Sequence, residues 1–181
     1  MRFVETALPG AFVIEVEPHA DERGLFARTF CGDAFAARGL ASCFVQCSTS
    51  FNARAGTLRG MHWQEPPHAE TKLVRCTAGA IFDAIVDLRP GSPTRGRWHA
   101  VELCAGTRRM LYVPEGFAHG FQALRDGSEV FYQMSRPFAP AAARGFRWDD
   151  PEVGIDWPLP PGPMSARDRE LPRLHQEVRG G

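Results

Sequence analysis

The sequence predicts an all-β protein, an antiparallel barrel or sandwich, and two observations favour this class: the β-prone residues of its short runs and the turn residues that separate those runs. From Gln46 onward, short runs rich in Val, Ile, Phe, Leu and Tyr are separated by Gly and Pro clusters at intervals of about ten residues. The composition, 44% hydrophobic and 23% charged over 181 residues, is sufficient for one packed core. We therefore expect a single domain over residues 1–175 and a disordered tail over residues 176–181.

One short helix is predicted before the strands. The segment GDAFAARGL, residues 32–40, offers Asp33 as the N-cap and Gly39 as the C-terminal stop. The segment KLVRCTAGAIFDAIVDLR then predicts two strands around a turn at Ala78-Gly79. Further strands are predicted in the runs WHAVELCAG, RRMLYVPEGFAHGFQAL and SEVFYQMS.

The chain turns irregular from Pro140 onward. Six of the fifteen prolines lie between Pro151 and Pro172, which excludes a long helix there. The bulky side chains of this Pro-rich segment are expected to anchor it across the barrel: Trp148, Ile155 and Trp157.

Charge and cysteine content narrow the class of protein. With 21 basic and 21 acidic residues, the chain lacks the basic excess of a broad nucleic-acid or membrane surface, so we expect neither partner. The N-terminus shows no signal-peptide pattern, and no apolar stretch approaches the roughly 20 residues of a membrane span. The five cysteines are an odd number without a CxxC pair, which favours a reduced, cytoplasmic protein.

The segment LRGMHWQEPPHAETKLVR, residues 58–75, concentrates cationic and imidazole side chains. It fits a metal site, a phosphate site, a general base with an oxyanion partner, or a solvated loop. The side chains in question are Arg59, His62, His68, Lys72 and Arg75. We expect His68 to belong to an exposed loop without a role.

A second histidine lies in VPEGFAHGF, which matches the P-x-G-x-x-H turn of the cupin barrel and predicts that His119 points inward. Metal-binding cupins carry H-x-H followed by a glutamate in the first segment. Here Gln64 replaces the second histidine, which leaves His62, His119 and Glu70 as candidate ligands, with Lys72 close by. A cation opposes a divalent ion and an amide oxygen is a weak ligand, so we expect no metal.

A metal-free pocket suits proton transfer. Removal of a proton beside a carbonyl needs a base that works near neutral pH, as histidine does. Lys72 is suited to stabilise the enolate oxygen, and Tyr132 to donate a proton from the opposite face. Composition alone leaves the alternative open that Tyr132 is a half-buried strand residue and that Lys72 covers apolar surface.

The chain resembles the dTDP-4-dehydrorhamnose 3,5-epimerase family in six segments. These segments have the order and spacing of the family and cover nearly the whole chain. They are DERGLFARTF, FVQCSTSFNARAGTLRGMHWQ, KLVRCTAGAIFDAIVDLRPGSPTRGRW, LYVPEGFAHGF, EVFYQMS and RWDDPEVGIDWP. The resemblance implies a cupin jelly roll without metal or cofactor that works as a homodimer by N-terminal strand exchange. It also implies epimerisation at C3, C5 or both of a nucleotide-linked 4-keto-6-deoxy sugar.

The resemblance assigns roles position by position. His62 resembles the general base, Asp168 the carboxylate that orients it, Lys72 the enolate-stabilising residue and Tyr132 the proton donor. One hairpin over residues 58–75 would then supply the phosphate clamp, the base and the oxyanion partner. The substrate-binding positions implied are Arg59, His119, Gln46 and Phe138, with Arg23 and Phe26 on an arm that reaches the neighbouring subunit's pocket.

Several recognition positions depart from the family pattern, whereas the proton-handling residues are retained. Arg28 and Ala143 stand where glutamates are common, Cys47 and Ser48 replace an aspartate and an asparagine, and Phe138 replaces a tyrosine that stacks on the base. The reaction type is therefore better determined than the substrate, and dTDP, CDP and GDP stay open as the nucleotide. A non-catalytic nucleotide-sugar-binding cupin and a metal-dependent cupin enzyme are the alternatives.

Overall fold

The computed structural model describes residues 1–175, and within them thirteen strands and two short α-helices are formed. A 3₁₀ turn at Pro140–Ala142 precedes the last strand. The elements are β1 (Arg2–Glu5), β2 (Phe12–Glu15), β3 (His19–Asp21), β4 (Gly24–Phe26), α1 (Gly32–Ala36), β5 (Gln46–Asn52), β6 (Leu58–Gln64), β7 (Lys72–Ala78), β8 (Ala80–Asp87), β9 (Trp98–Cys104), β10 (Met110–Val113), β11 (Phe117–Ala123), β12 (Ser128–Met134), β13 (Ala143–Gly145) and α2 (Ala166–Arg169).

Two antiparallel sheets form the body of the molecule. The first sheet has six strands in the order β1-β2-β10-β7-β12-β5, and the second has five in the order β13-β6-β11-β8-β9. The hairpin β3–β4 forms a separate two-stranded sheet. The prediction of an all-β, cupin-type antiparallel jelly roll with little helix is confirmed. No helix in residues 1–175 is both long and apolar enough to cross a membrane.

The main core lies between the two sheets and explains why the middle strands are so apolar. Strand β11 is buried along its whole length, because the core covers one face and the C-terminal segment covers the other. Burying each large aliphatic or aromatic side chain stabilises the fold by roughly 1.5–3 kcal/mol. The largest side chains of this core are Leu8, Ile81, Ile85, Leu103, Leu111, Phe117 and Phe121.

The predicted turn at Ala78-Gly79 is confirmed, with Gly79 in the left-handed region at φ +70°. A Cβ at this position would lie 2.4 Å from the Ser128 hydroxyl, so glycine is required for space as well as for conformation. The strands on either side do not pair with each other. The chain passes here from β7 in the first sheet to β8 in the second.

The predicted hairpin over residues 58–75 is wrong. Strand β6 belongs to the second sheet and β7 to the first, so the two strands face each other across the barrel. The intervening residues 65–71 include the cis Pro66-Pro67 bond, and they span from one sheet to the other. The two halves of the segment are therefore close in the sequence but lie on opposite walls of the barrel.

The helix prediction is partly correct. Helix α1 begins at Gly32, and its N-cap is Cys31 without a side-chain hydrogen bond, so the prediction of Asp33 as the N-cap is wrong. Gly39 has φ +68° just beyond the helix and ends it as predicted. The buried ring of Phe35 anchors α1 in a second apolar cluster.

The C-terminal segment lies across the second sheet without a long helix, as predicted. Ile155 and Trp157 pack against the cluster around Phe146, and the Trp157 ring lies 5.7 Å from the Phe82 ring. The Trp157 indole N–H donates to the backbone oxygen of Trp148. The prediction of a disordered tail at residues 176–181 lies outside the described residues.

Candidate active site

Two adjoining cavities of about 370 and 390 Å³ lie between the sheets and contain most of the predicted site. Five side chains line both cavities, among them His62 from β6 in the second sheet, and Lys72 and Tyr132 from β7 and β12 in the first. The candidate base thus lies on one wall, and the candidate enolate partner and proton donor lie on the other. Gln46, Arg59, His119, Phe138 and Asp168 line one cavity or the other.

His62 is held by a carboxylate that is distant in the sequence. Its Nε2 lies 2.7 Å from Oδ1 of Asp168, whose side chain is 6% exposed. Asp168 is therefore buried against His62 although it belongs to the C-terminal segment. Ser165 caps α2 by accepting from the Asp168 amide, which fixes the carboxylate in place.

Burial of Asp168 raises its pKa, but the hydrogen bond and charge of His62, with the Gly60 amide, bring that pKa below its usual value. The carboxylate therefore stays ionised beside the imidazole. An ionised carboxylate fixes the tautomer of the histidine and stabilises it when it gains a proton.

A second histidine–aspartate pair lies beside the first. His62 and His119 are direct cross-strand partners on β6 and β11. His119 Nε2 lies 2.7 Å from Oδ1 of Asp83, and both side chains are buried. The strands approach closely because glycines occupy the crossing: a Cβ on Gly60 would lie 2.5 Å from the Gly120 Cα.

Asp83 was not identified from the sequence as a site residue. It lies in the apolar strand β8, and only the strand pairing brings it next to His119. The signal in the sequence was an aspartate within the run AIFDAIVD. Buried charges are rare unless they are paired, so such an aspartate predicts a polar partner.

Lys72 is paired as well. Its Nζ lies 2.9 Å from Oε1 of Glu70, and both side chains are nearly buried. The other oxygen of Glu70 accepts from the Gln64 amide at 2.5 Å, and the Gln64 oxygen accepts from the Ala139 amide at 2.6 Å. Glu70, one of the candidate metal ligands, and Gln64, which replaces the second histidine of metal-binding cupins, thus hold Lys72 and the segment around residue 138.

Tyr132 points its hydroxyl into the second cavity, where Oη lies 3.1 Å from Oγ of Ser50. Burial raises the pKa of Tyr132 well above its usual value, against a smaller lowering by the Ser50 hydrogen bond. The charge of Asp83 adds to the increase. The phenol is therefore fully protonated at neutral pH, as a proton donor must be.

The substrate-binding candidates lie toward the cavity openings. Arg59 is exposed, and its Nε donates to the Asn52 side chain at 2.9 Å, which fixes the guanidinium at the mouth. The Phe138 amide donates to the Gln46 side chain at 2.8 Å, while the Phe138 ring is 56% exposed. Arg167, which the sequence reading did not select, lines both cavities and adds a second cation.

Arg23 and Phe26 are not brought to the pocket of their own chain. Both lie in the exposed β3–β4 hairpin region, where Arg23 pairs with Asp21 and the Phe26 side chain is 71% exposed. Their predicted place in a neighbouring subunit's pocket stays a prediction.

Two facing antiparallel sheets with acid–base side chains on both walls define a cupin-type barrel that is able to move protons on a bound ligand. The sequence model of the family described as dTDP-4-dehydrorhamnose 3,5-epimerase matches residues 5–176. The chain belongs to this family of isomerases.

Individual relatives are similar over most of their length. A dTDP-4-dehydrorhamnose 3,5-epimerase of Methanothermobacter thermautotrophicus is 48% identical over 87% of this chain and 84% of its own. The crystal structure of the Bacillus anthracis dTDP-4-dehydrorhamnose 3,5-epimerase with TDP and PPi bound has a TM-score of 0.92 at 39% identity, covering 96% of this chain and 99% of that chain. A 4-keto-6-deoxy sugar epimerase from the novobiocin gene cluster of Streptomyces spheroides has a TM-score of 0.94 at 37% identity, covering 100% of this chain and 91% of that chain.

Proposed function

We propose that the protein epimerises a nucleotide-linked 4-keto-6-deoxy sugar at C3, C5 or both, by proton removal on one face and return on the other. The proposed reaction is dTDP-4-dehydro-6-deoxy-D-glucose to dTDP-4-dehydro-L-rhamnose, or a close relative. The placement of His62 and Tyr132 on opposite walls of one pocket is the observation that most supports this proposal.

His62 is the proposed base. It removes the proton beside the C4 ketone, and the electron pair of the C–H bond moves to the carbonyl oxygen to form an enolate. Asp168, at 2.7 Å, keeps the ring oriented and stabilises the imidazolium that results. Lys72 donates to the enolate oxygen, and its contact with Glu70 aims the ammonium group.

Tyr132 is the proposed proton donor on the other face. A single base returns the proton to the side from which it came, so inversion requires a second group on the opposite wall. Tyr132 lies on β12, in the sheet that faces His62. The enolate collapses to the ketone as the carbon takes the Tyr132 proton.

The nucleotide diphosphate is the part of the substrate through which the protein is proposed to bind it. Arg59 and Arg167 place two cations at the cavities, and guanidinium groups match phosphate oxygens through two parallel hydrogen bonds. The exposed ring of Phe138 offers a stacking surface for the base. The TDP and PPi bound in the Bacillus anthracis relative support a dTDP-linked substrate.

The proposed assembly is a homodimer with N-terminal strand exchange, in the cytoplasm. The β3–β4 hairpin pairs with neither large sheet of its own chain and exposes Leu25 and Phe26. Exchange of this arm between subunits would bury those side chains and bring Arg23 to a partner's pocket. The five free cysteines accord with a reducing compartment.

The direct test is NMR in deuterated water with dTDP-4-keto-6-deoxyglucose, following H3 and H5 separately. We expect deuterium at each carbon that is inverted, and no change on addition of EDTA. Lys72→Ala is expected to lower the rate by about 10²–10³-fold, the usual effect of removing one oxyanion donor. Nucleotide-sugar binding without any exchange would instead identify a non-catalytic binding protein, and activity that a chelator removes and a metal restores would identify a metal-dependent enzyme.

A further inference from the structure

Strand β5 contributes more to the pocket than the sequence indicated. It is the outermost strand of the first sheet, and alternate residues face the same side because side chains of a strand alternate with period two. The inward-facing side chains are Gln46, Ser48, Ser50 and Asn52, which line the cavities or bond to Arg59.

Ser50 bonds to the Tyr132 hydroxyl from a diagonal position. In the register of β5 and β12, Tyr132 lies opposite Ser48, and Ser50 lies opposite Val130. The Tyr132 Oη nevertheless lies 3.1 Å from Ser50 Oγ. The tyrosine therefore leans along the strand, which sets its ring 6.1 Å from the His119 ring.

The direction of this hydrogen bond decides what Tyr132 can do. A phenol has one proton, which it cannot donate to Ser50 and to a substrate carbon at the same time. When Ser50 is the donor, the Tyr132 proton is free to point into the cavity. As that proton leaves, the O–H bond breaks, the enolate electron pair forms the new C–H bond, and a phenolate remains that Ser50 still contacts.

We propose that Ser50 is a positioning residue for the proton-donating step: it aims the Tyr132 hydroxyl, leaves the tyrosine proton to the substrate and stabilises the phenolate by donating to it. This inference rests on the proposed role of Tyr132. A phenolate at this buried position would be strongly destabilised without a donor, because burial disfavours its charge. Water restores the Tyr132 proton after each turnover.

The experiment compares deuterium content with product configuration in the same reaction, for wild type, Ser50→Ala, Ser50→Thr and Tyr132→Phe. We expect Ser50→Ala to incorporate deuterium near the wild-type rate, because His62 is intact. Its inverted product should form about 10–100-fold more slowly, the effect of losing one hydrogen bond to a charged group. Ser50→Thr keeps the hydroxyl on a strand position that suits a β-branched residue, and should restore most of the rate.

Two controls separate this inference from the proposed function. Thr77→Ala removes a hydroxyl from β7, the strand on the other side of β12, where it bonds only to Glu129 among the described residues, and should change neither readout. Tyr132→Phe should exchange deuterium but give little inverted product. Inversion by Tyr132→Phe at the wild-type rate would contradict the role of Tyr132 itself.

Provided that wild type exchanges deuterium and forms inverted product, either of two results overturns the inference about Ser50 and leaves the proposed function intact. In the first, Ser50→Ala inverts at the wild-type rate. In the second, Ser50→Ala loses exchange and inversion to the same extent and Ser50→Thr does not recover, which would show that Ser50 only supports the fold.

Discussion

Two histidine–aspartate pairs lie side by side at the second sheet with the same nitrogen–oxygen distance of 2.7 Å. They differ in how far the histidine side chain is exposed to solvent. The His62 side chain is 36% exposed, whereas the His119 side chain is 6% exposed. A ring that takes a proton from a ligand must reach that ligand and then release the proton to water. Equal geometry therefore does not imply equal roles, and exposure favours His62 as the base.

The two pairs also differ in how they are built. Asp83 is part of β8, so its pair with His119 is internal to the sheet. Asp168 comes from the C-terminal segment and is 106 positions away from His62. The exposed pair is therefore added to the barrel by a separate segment, while the buried pair belongs to the barrel itself. Changes in the first should act on the reaction, and changes in the second on stability.

The largest effect is expected when the exposed pair loses its base. His62→Ala should lower deuterium exchange at every carbon by about 10⁴-fold, the upper range for removal of a general base, while nucleotide binding survives. Exchange is measured by NMR in deuterated water, and binding by calorimetry with dTDP. A variant that binds nucleotide weakly yet still exchanges would show that His62 only holds the substrate.

Loss of the carboxylate should have the next largest effect. Asp168→Asn keeps the shape of the side chain but removes its charge, so the rate should fall by up to about 10⁴-fold, as it does when a histidine loses its carboxylate partner in a triad. The measurement is the pH dependence of kcat, with circular dichroism to show that the barrel is intact. A wild-type kcat at neutral pH would remove Asp168 from the mechanism.

The corresponding change in the buried pair should act on the fold instead. Asp83→Asn leaves His119 with a weaker partner inside the barrel, so the free energy of unfolding should fall by about 1–3 kcal/mol. Urea denaturation measures this loss. If Asp83→Asn is as stable as wild type but lowers exchange more than Asp168→Asn does, the comparison between the two pairs is reversed.

The smallest effect is expected when the pH is lowered and the stability of wild type is compared with that of Asp168→Asn. The pKa of Asp168 is lowered in the folded protein, so its contribution to stability is complete above the unfolded value of about 3.9 and is lost as the pH falls through the lowered value. Asp168→Asn lacks this contribution at every pH. Its urea midpoint should therefore fall less than that of wild type between pH 6 and pH 3, and an equal fall would contradict the assignment.

The sequence pointed to most of the side chains that line the cavities but not to their contacts, and the two pairs show why. His62 and His119 lie in recognisable motifs, as do Lys72 and Tyr132, so the sequence itself marks them. Asp83 and Ser50 become visible only through strand register, which brings Asp83 to His119 and places Ser50 diagonally from Tyr132. Register depends on the pairing of distant strands, and short strand patterns do not specify it.

The wrong prediction of a hairpin has the same physical origin. The interpretation of residues 58–75 as one hairpin joins two strands that are close in the sequence. Its strands instead pair with others in different sheets. The all-β class was predictable because it follows from the composition and spacing of the runs, which do not require knowledge of the partner of each strand.

The crossing between β6 and β7 has a consequence for how this pocket can change. Residues 65–71 connect the wall that bears His62 to the wall that bears Lys72, and they include Glu70, the ion-pair partner of Lys72. The packed core fixes the distance between the sheets, so a change in the length of this connection should displace Glu70 more than the strands. The direction of the Lys72 ammonium group can therefore change through a loop outside both sheets, while the strand order stays the same.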